Sequence, residues 1–256
     1  MNTMKKSAVV VIAKECDERL ISFLCEEFKD CSTYLVTPNS ENIHLDKINI
    51  LDDQSFFDFE SFSEKLKNTN LRVGWYYQQF LKLHVCLNLG YENVYIIDGD
   101  SVVKRDTFKT DSISTTGKLA ENKYTDFNKL ILSLDSFEEP SYVTNEMVFN
   151  RNILEKLIYE IEAKFNKFWV DAILDILKAN ENVQFSEYQL YGSFAVNRFS
   201  YPVHQIKVFR RMDCINDSIV NGLKKFDLLA FESHHKTGFL RHLRAQTLYL
   251  FGKQLG

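Results

Sequence analysis

Val94-Tyr95-Ile96-Ile97-Asp98-Gly99-Asp100 is the stretch on which the reading of this chain turns. An unbroken apolar run predicts a strand buried on both faces, as in a parallel sheet. It ends in two carboxylates at spacing i, i+2, delivered together at the strand's exposed carboxyl end. Such carboxylates are oxygen ligands for a divalent cation, and a cation held there can bind a diphosphate. Asp and Gly also make ordinary turns after strands, which is the plain alternative. The flanks favour the first reading. Residues 78–85 read as a helix packed before the strand, and Ser101-Val102-Val103-Lys104-Arg105 continues extended instead of reversing into a hairpin.

Working outward, residues 8–13 form a second continuous apolar run, again a buried parallel strand. Leu20, Ile21, Leu24 and Phe28 then recur at helical spacing, and residues 33–36 make another strand closed by Thr37-Pro38-Asn39. A β-α-β unit within the first forty residues opens a nucleotide-binding α/β sheet. A third strand is expected near residues 48–51, and residues 52–73 read as a loop with a short helix. Tyr76, Phe80, Leu83 and Leu87 form one helical stripe that Gly90 ends. Residues 109–129 are polar and read as a mobile segment over the site. Residues 146–149 read as a strand, and 153–177 as one long or two short helices. From Gly238 a basic amphipathic helix is expected, with Leu240, Leu243, Thr247, Phe251 and Leu255 along one side. No repeat or composition shift marks a boundary, so a single α/β domain over residues 1–256 is expected, with residues 238–256 as its C-terminal helix.

The totals suit such a domain. At 256 residues, with 45% hydrophobic and 26% charged residues, the chain can bury a large core. A formal net charge of −4 argues against a nucleic-acid partner, which calls for a basic excess. The five cysteines include no C-x-x-C pair and suit a reducing compartment. The apolar run behind the basic start is shorter than a secretory core, and no run spans a bilayer, so a cytoplasmic location is expected.

Several side chains then acquire candidate roles. Asp100, with Asp98, is read as the metal-binding pair, and Gly99 as letting backbone and ligand approach closely. A third ligand is sought at His234 or His235, where Glu232-Ser233-His234-His235-Lys236 follows the apolar residues 228–231; the alternative is a polar loop. Arg72, Gln78, Gln79 and Lys82 surround the helix before the metal strand. Gln78 and Lys82 share a face away from the Tyr76–Phe80 stripe, either reaching a donor diphosphate or hexose or forming a solvated face. Lys14 and Asp17 follow the first strand, where a base or ribose sits in open α/β folds. Tyr188 and Tyr191 offer a wall for a sugar ring, with Gly192 leaving space; paired helical tyrosines are otherwise core. Glu187 follows Ser186, an N-cap residue, and stands as a carboxylate on the first helical turn or as a general base.

Three segments carry a resemblance: residues 74–83 (Gly-Trp-Tyr-Tyr-Gln-Gln-Phe-Leu-Lys-Leu), 95–100 (Tyr-Ile-Ile-Asp-Gly-Asp) and 185–192 (Phe-Ser-Glu-Tyr-Gln-Leu-Tyr-Gly). Asn145-Glu146-Met147-Val148-Phe149-Asn150 fits between the last two. Together they resemble a bacterial glycosyltransferase-like family of the GT-A type that occurs with surface-polysaccharide genes. The resemblance implies a GT-A-like fold with a mostly parallel central sheet, a nucleotide-sugar donor (a UDP-sugar foremost), Mn²⁺ or Mg²⁺, and a glycan or lipid-linked glycan acceptor. It implies Glu187 as the base and places Glu146 on the sugar or acceptor side. A lipid-linked acceptor would bring the basic tail into peripheral contact with the inner membrane. The tail departs from the pattern of retaining relatives, since no Lys-Pro-Trp follows Gly238. Two rivals are a haloacid-dehalogenase-like phosphatase with Asp98 as nucleophile and a sugar-nucleotide-binding protein without turnover.

Overall fold

The computed structural model describes residues 5–15, 17–38, 40–133, 138–210 and 222–231. The chain opens with β1 (Lys5–Ile12), α1 (Glu18–Glu27), β2 (Ser32–Thr37) and β3 (Asn49–Asp52), then α2 (Phe59–Lys65) and α3 (Val73–Asn88). The strand quoted first is β4 (Tyr91–Asp98), and β5 (Ser101–Val103), β6 (Ile113–Thr115) and α4 (Asn122–Leu132) follow. Then come β7 (Glu146–Asn150), α5 (Arg151–Phe165), α6 (Trp169–Ala179), α7 (Glu187–Phe199), β8 (Val203–Gln205), β9 (Val208–Phe209) and β10 (Leu228–Ala230).

The main sheet has the order β3-β2-β1-β4-β7. Strands β1 to β4 run parallel, with Ile12 opposite Asp98, and β7 is antiparallel to β4, with Glu146 opposite Ile97. The mixed α/β architecture with a mostly parallel central sheet is the one expected. Its physical cause is visible along β4, where Val94, Tyr95, Ile96 and Ile97 are all fully buried because each face of the strand has its own cover. Val94 and Ile96 enter one core with α3, α5, α6 and α7; Tyr95 and Ile97 enter another with α1, β5, β9 and β10.

This topology places the site. Asp98 closes β4, Ile12 and Thr37 close β1 and β2, and the antiparallel β7 begins with Glu146 at that same end. Ligands of open parallel sheets bind outside this edge, where strand order reverses. The turn after Asp98 is held by the Asp98 N–H on Asn145 O (3.0 Å) and the Gly99 N–H on Ile12 O (2.9 Å).

One local expectation changes and two become specific. Residues 109–129 contain β6 and most of α4 in place of a mobile segment, and Ser114, Thr115, Thr116, Thr125 and Asn128 are buried there by partners that satisfy them. Residues 153–177 divide into two helices at Asn166, whose left-handed backbone (φ 49°) ends α5. Ser101–Val103 does continue extended, but pairs with β10 in a second sheet. The expected helix at 238–256 lies outside the described residues. Among the described residues, no helix is long and apolar enough to cross a membrane.

Candidate active site

Helix α3 supplies the centre of the site. Its apolar stripe of Tyr76, Phe80 and Leu83 is buried, and Gly90 ends the segment with φ +80°, as its spacing predicts. Its other side is buried too. Lys82 is 4% exposed, with Nζ 2.5 Å from Asp98 Oδ1 and 2.6 Å from Glu187 Oε1. A solvated face for Gln78 and Lys82 is therefore excluded for Lys82.

Helix α7 approaches from the other side, its N-terminus fixed by Ser186, whose side chain accepts from the Gln189 N–H. Glu187 is thereby placed in the first turn and is 2% exposed. With the Gln79 amide turned to donate, its nitrogen lies 2.8 Å from Phe185 O and 3.0 Å from Glu187 Oε2. The Tyr188 hydroxyl donates to Asp98 Oδ1 at 2.8 Å, and its ring lies 4.3 Å beneath the Lys82 ammonium. Lys82, Asp98, Gln79, Glu187 and Tyr188 thus make one buried polar cluster under the Asp98–Asp100 turn.

Its electrostatics follow from counting charges. One ammonium faces two carboxylates. Burial alone would lower the Lys82 pKa, but Asp98 and Glu187 outweigh it and hold the ammonium above its usual range. One cation cannot neutralise both acids. Burial and the nearby Asp98 keep Glu187 raised despite Lys82. Burial, then Asp98 and Glu187, push the Tyr188 hydroxyl far up, so it remains a donor to Asp98.

Asp100 stands further out and half-buried, accepting from Ser101 Oγ at 3.2 Å while its carbonyl receives the Phe231 N–H. Lys14 is exposed beyond β1. Asp17 serves as N-cap of α1 and pairs with Arg19, whose guanidinium holds the carboxyl below its usual range. Gln78 Nε2 reaches Ile12 O at 3.4 Å, and the Arg72 guanidinium lies 4.6 Å over the Trp75 ring.

Packing bears on four expectations. A β-carbon on Gly99 would fall 2.8 Å from Ala13 Cα and 2.9 Å from Ile12 O, so the close backbone approach expected at Gly99 is made to the end of β1. The space at Gly192 is filled by the Tyr142 ring, 2.5 Å from where a β-carbon would stand. Tyr191 is no sugar wall. It is fully buried against Phe149, and its hydroxyl accepts the Asn150 N–H at 2.8 Å. Glu187 is at the site as a buried partner of Lys82 and Gln79.

Residues 4–217 match the model of DUF6492, described as a family of unknown function. The chain belongs to DUF6492. No curated protein matches this DUF6492 member. Among solved structures it is similar to the apo-form glycosyltransferase GlyE of Streptococcus pneumoniae TIGR4, at 12% identity and a TM-score of 0.39 over 96% of this chain. The chain spans 60% of that structure. It is also similar to a glycosyltransferase involved in glycosylation of the major capsid of PBCV-1, at 11% identity and a TM-score of 0.33, covering 96% of this chain and 99% of the other.

Sequence reasoning placed Asp98, Glu187 and Tyr188 near one another only through the resemblance, and it missed that Lys82 binds Asp98 and Glu187 together. The sequence signal was a lysine in an otherwise apolar run, Phe80-Leu81-Lys82-Leu83. Glu146 is the other residue whose surroundings are unusual. It is fully buried, and neither carboxyl oxygen makes a well-formed hydrogen bond. Among the described residues no three His, Cys, Asp or Glu side chains converge as a metal cage. His234 and His235 lie outside the described residues.

Proposed function

We propose that this protein is a glycosyltransferase that moves a sugar from a nucleotide-sugar donor, foremost a UDP-sugar, to a glycan or lipid-linked glycan acceptor in bacterial surface-polysaccharide synthesis. The observation that carries the reading is the placing of Asp98-Gly99-Asp100. It leaves the carboxyl end of a central parallel strand directly over the buried Lys82–Glu187–Tyr188 cluster. The family resemblance in the three sequence segments supplies the reaction class and the polysaccharide setting.

Carboxylate oxygens fit a hard divalent ion, and such ions are commonly held by one or two carboxylates together with substrate phosphates and water. Asp100 is the carboxylate we assign to Mn²⁺ or Mg²⁺, because Asp98 Oδ1 is already held by Lys82 and Tyr188. When bound, the ion supplies charge neutralisation for a departing diphosphate. Lys82 and Tyr188 fix the Asp98 carboxylate, and Glu187 acts through Lys82 as a positioning residue. Gln78, which reaches Ile12 O at the end of β1, and Arg72, at the start of the same helix, are the groups we assign to the donor. Nothing in the geometry favours the phosphatase alternative. Asp98 lies on the fourth strand, and both Lys82 and Tyr188 hold its Oδ1.

The test is a thermal-shift screen of UDP-, GDP-, CMP- and dTDP-sugars with and without Mn²⁺, on wild type and Asp100→Ala. A ligand that binds the native state raises the melting temperature by mass action. A Mn²⁺-dependent shift with one nucleotide class, lost in Asp100→Ala, is the expected result. No shift with any nucleotide would overturn the reading.

A further inference from the structure

Arg72, Trp75, Gln79 and Lys82 stand at i, i+3, i+7 and i+10, a single stripe down α3. The inner end of the stripe is occupied. Lys82 holds Asp98 and Glu187, and Gln79 lies against Glu187 Oε2. The outer end is open. Arg72 is exposed, with its guanidinium carbon 4.6 Å from the centre of the half-buried Trp75 ring. Among the described residues that guanidinium makes no ion pair and no hydrogen bond.

Aromatic groups complete this rim. Trp75 meets the buried Tyr76 edge-on at 4.8 Å. Beside them, at the exposed Gly74, nothing lies within 4 Å of where a β-carbon would stand. Tyr124, half-buried in the first turn of α4, borders the same place. Its helix is tied to the start of α7 by the Gln184 N–H on Lys123 O (2.9 Å) and by Phe127 against Phe185 (5.6 Å). The charges of Glu187 and Arg72 and the Tyr76 hydroxyl all act on the Tyr124 hydroxyl, so these groups share one neighbourhood. Lys123, whose ammonium is 5.1 Å from the Tyr124 ring, is already paired with Glu121 at 2.8 Å. Arg72 is the positive charge of the rim that no acid meets.

We propose that this rim is a subsite for a sugar that carries a carboxylate, a hexuronic acid, with Arg72 on the acid and Trp75 and Tyr124 against the ring. A guanidinium with its N–H edge open matches a planar carboxylate through two parallel N–H···O bonds. Stacking on Trp75 holds the Arg72 side chain beforehand, so less entropy is lost on binding. The proposal rests on the assignment of Arg72 to the donor and deepens it, since the sugar transferred is then an acidic one. The donor's own diphosphate fits Arg72 less well. Its charge is met by the ion assigned to Asp100, above Lys82, and Arg72 stands about 15 Å from Lys82 along the helix axis. That separation leaves room for a sugar ring between the two.

Trp75 is the reporter, because the chain's other tryptophan, Trp169, is 2% exposed. Fluorescence titrations of the full chain with methyl glucuronide and methyl glucoside probe the subsite without any nucleotide. The glucuronide should bind at least about tenfold more tightly, the size of one charge-assisted contact. Arg72→Gln, a change at an exposed side chain, should erase that preference. Thermal shifts with UDP-glucuronic acid and UDP-glucose in Mn²⁺ then test the donor. The first should exceed the second in wild type and equal it in Arg72→Gln. Equal binding of the two glycosides, or a preference that survives Arg72→Gln, overturns the proposal. A glycoside preference with equal nucleotide-sugar shifts overturns the acidic donor. No shift with either nucleotide sugar counts against the glycosyltransferase reading instead, and the glycoside titrations still decide the subsite.

Discussion

Lys82 Nζ lies 2.6 Å from Glu187 Oε1, with both side chains almost wholly withdrawn from water. The two residues are 105 positions apart, so the bond ties α3 to α7 across the core in which both helices pack. Its energetic meaning is asymmetric. Making a buried pair gains little over an apolar substitute, whereas removing one partner strands the other.

Lys82→Met should therefore be strongly destabilising, by about 3–5 kcal/mol, because Asp98 and Glu187 lose their shared counter-charge. Urea unfolding measures it. Adding Glu187→Gln to Lys82→Met should recover part of the loss, since it removes one stranded carboxylate. A loss below about 1 kcal/mol in the single variant would mean that water reaches the cluster.

Tyr188→Phe removes a donor from Asp98 Oδ1 but keeps the ring beneath Lys82. The expected stability loss is about 1.5 kcal/mol, the size of a hydrogen bond to a charged group. Under the proposed function, the nucleotide-dependent thermal shift should shrink as well. An unchanged shift would separate Tyr188 from ligand binding.

His84 is stacked between Phe57 (4.4 Å) and Trp169 (5.0 Å), and its Nε2 has no partner. Burial lowers its pKa to about 4 from the ordinary 6.5. The unfolded chain therefore takes up the proton first as pH falls. Stability contributed by the neutral ring is full above about pH 6.5 and is lost progressively toward pH 4, by up to about 2 kcal/mol at pH 5. His84→Phe should remove that part of the acid sensitivity, which denaturant titrations at pH 7 and pH 5 would reveal. Equal acid sensitivity in both proteins would place the cause elsewhere.

Gly99→Ala and Gly192→Ala should each cost about 1–3 kcal/mol by overpacking. Gly99→Ala should cost more, because its β-carbon meets backbone at Ala13 and Ile12, whereas at Gly192 it meets the side chain of Tyr142. Only Gly99→Ala should also displace the Asp98–Asp100 turn and weaken ligand binding. Paired melting curves with and without nucleotide distinguish the two.

Much of the frame was legible in the sequence for a local reason. Apolar runs at residues 8–13 and 94–97 fall on β1 and β4, and Gly90 and Ser186 mark helix ends, because burial on both faces and end-capping leave their mark within a few residues. The polar stretch at 109–129 was misread because its serines and threonines are buried by partners far along the chain, Ser114 by His204 and Thr115 by Ser141. Gly192 was misread as open space for the same reason, since Tyr142 fills it from fifty residues away.

The sequence by itself determined an α/β chain with two aspartates at the end of a buried strand, since hydrophobic period and strand-end chemistry are local properties. Only the tertiary structure decided which charges meet. It withdrew Lys82 from solvent to hold Asp98 and Glu187, turned Tyr191 into core and Tyr188 onto Asp98, and left Glu146 buried without a well-formed hydrogen bond. The physical reason is that a lysine on a helix reads the same whether its ammonium faces water or two carboxylates. The difference lies in desolvation and Coulomb energy, which exist only once distant segments are packed together.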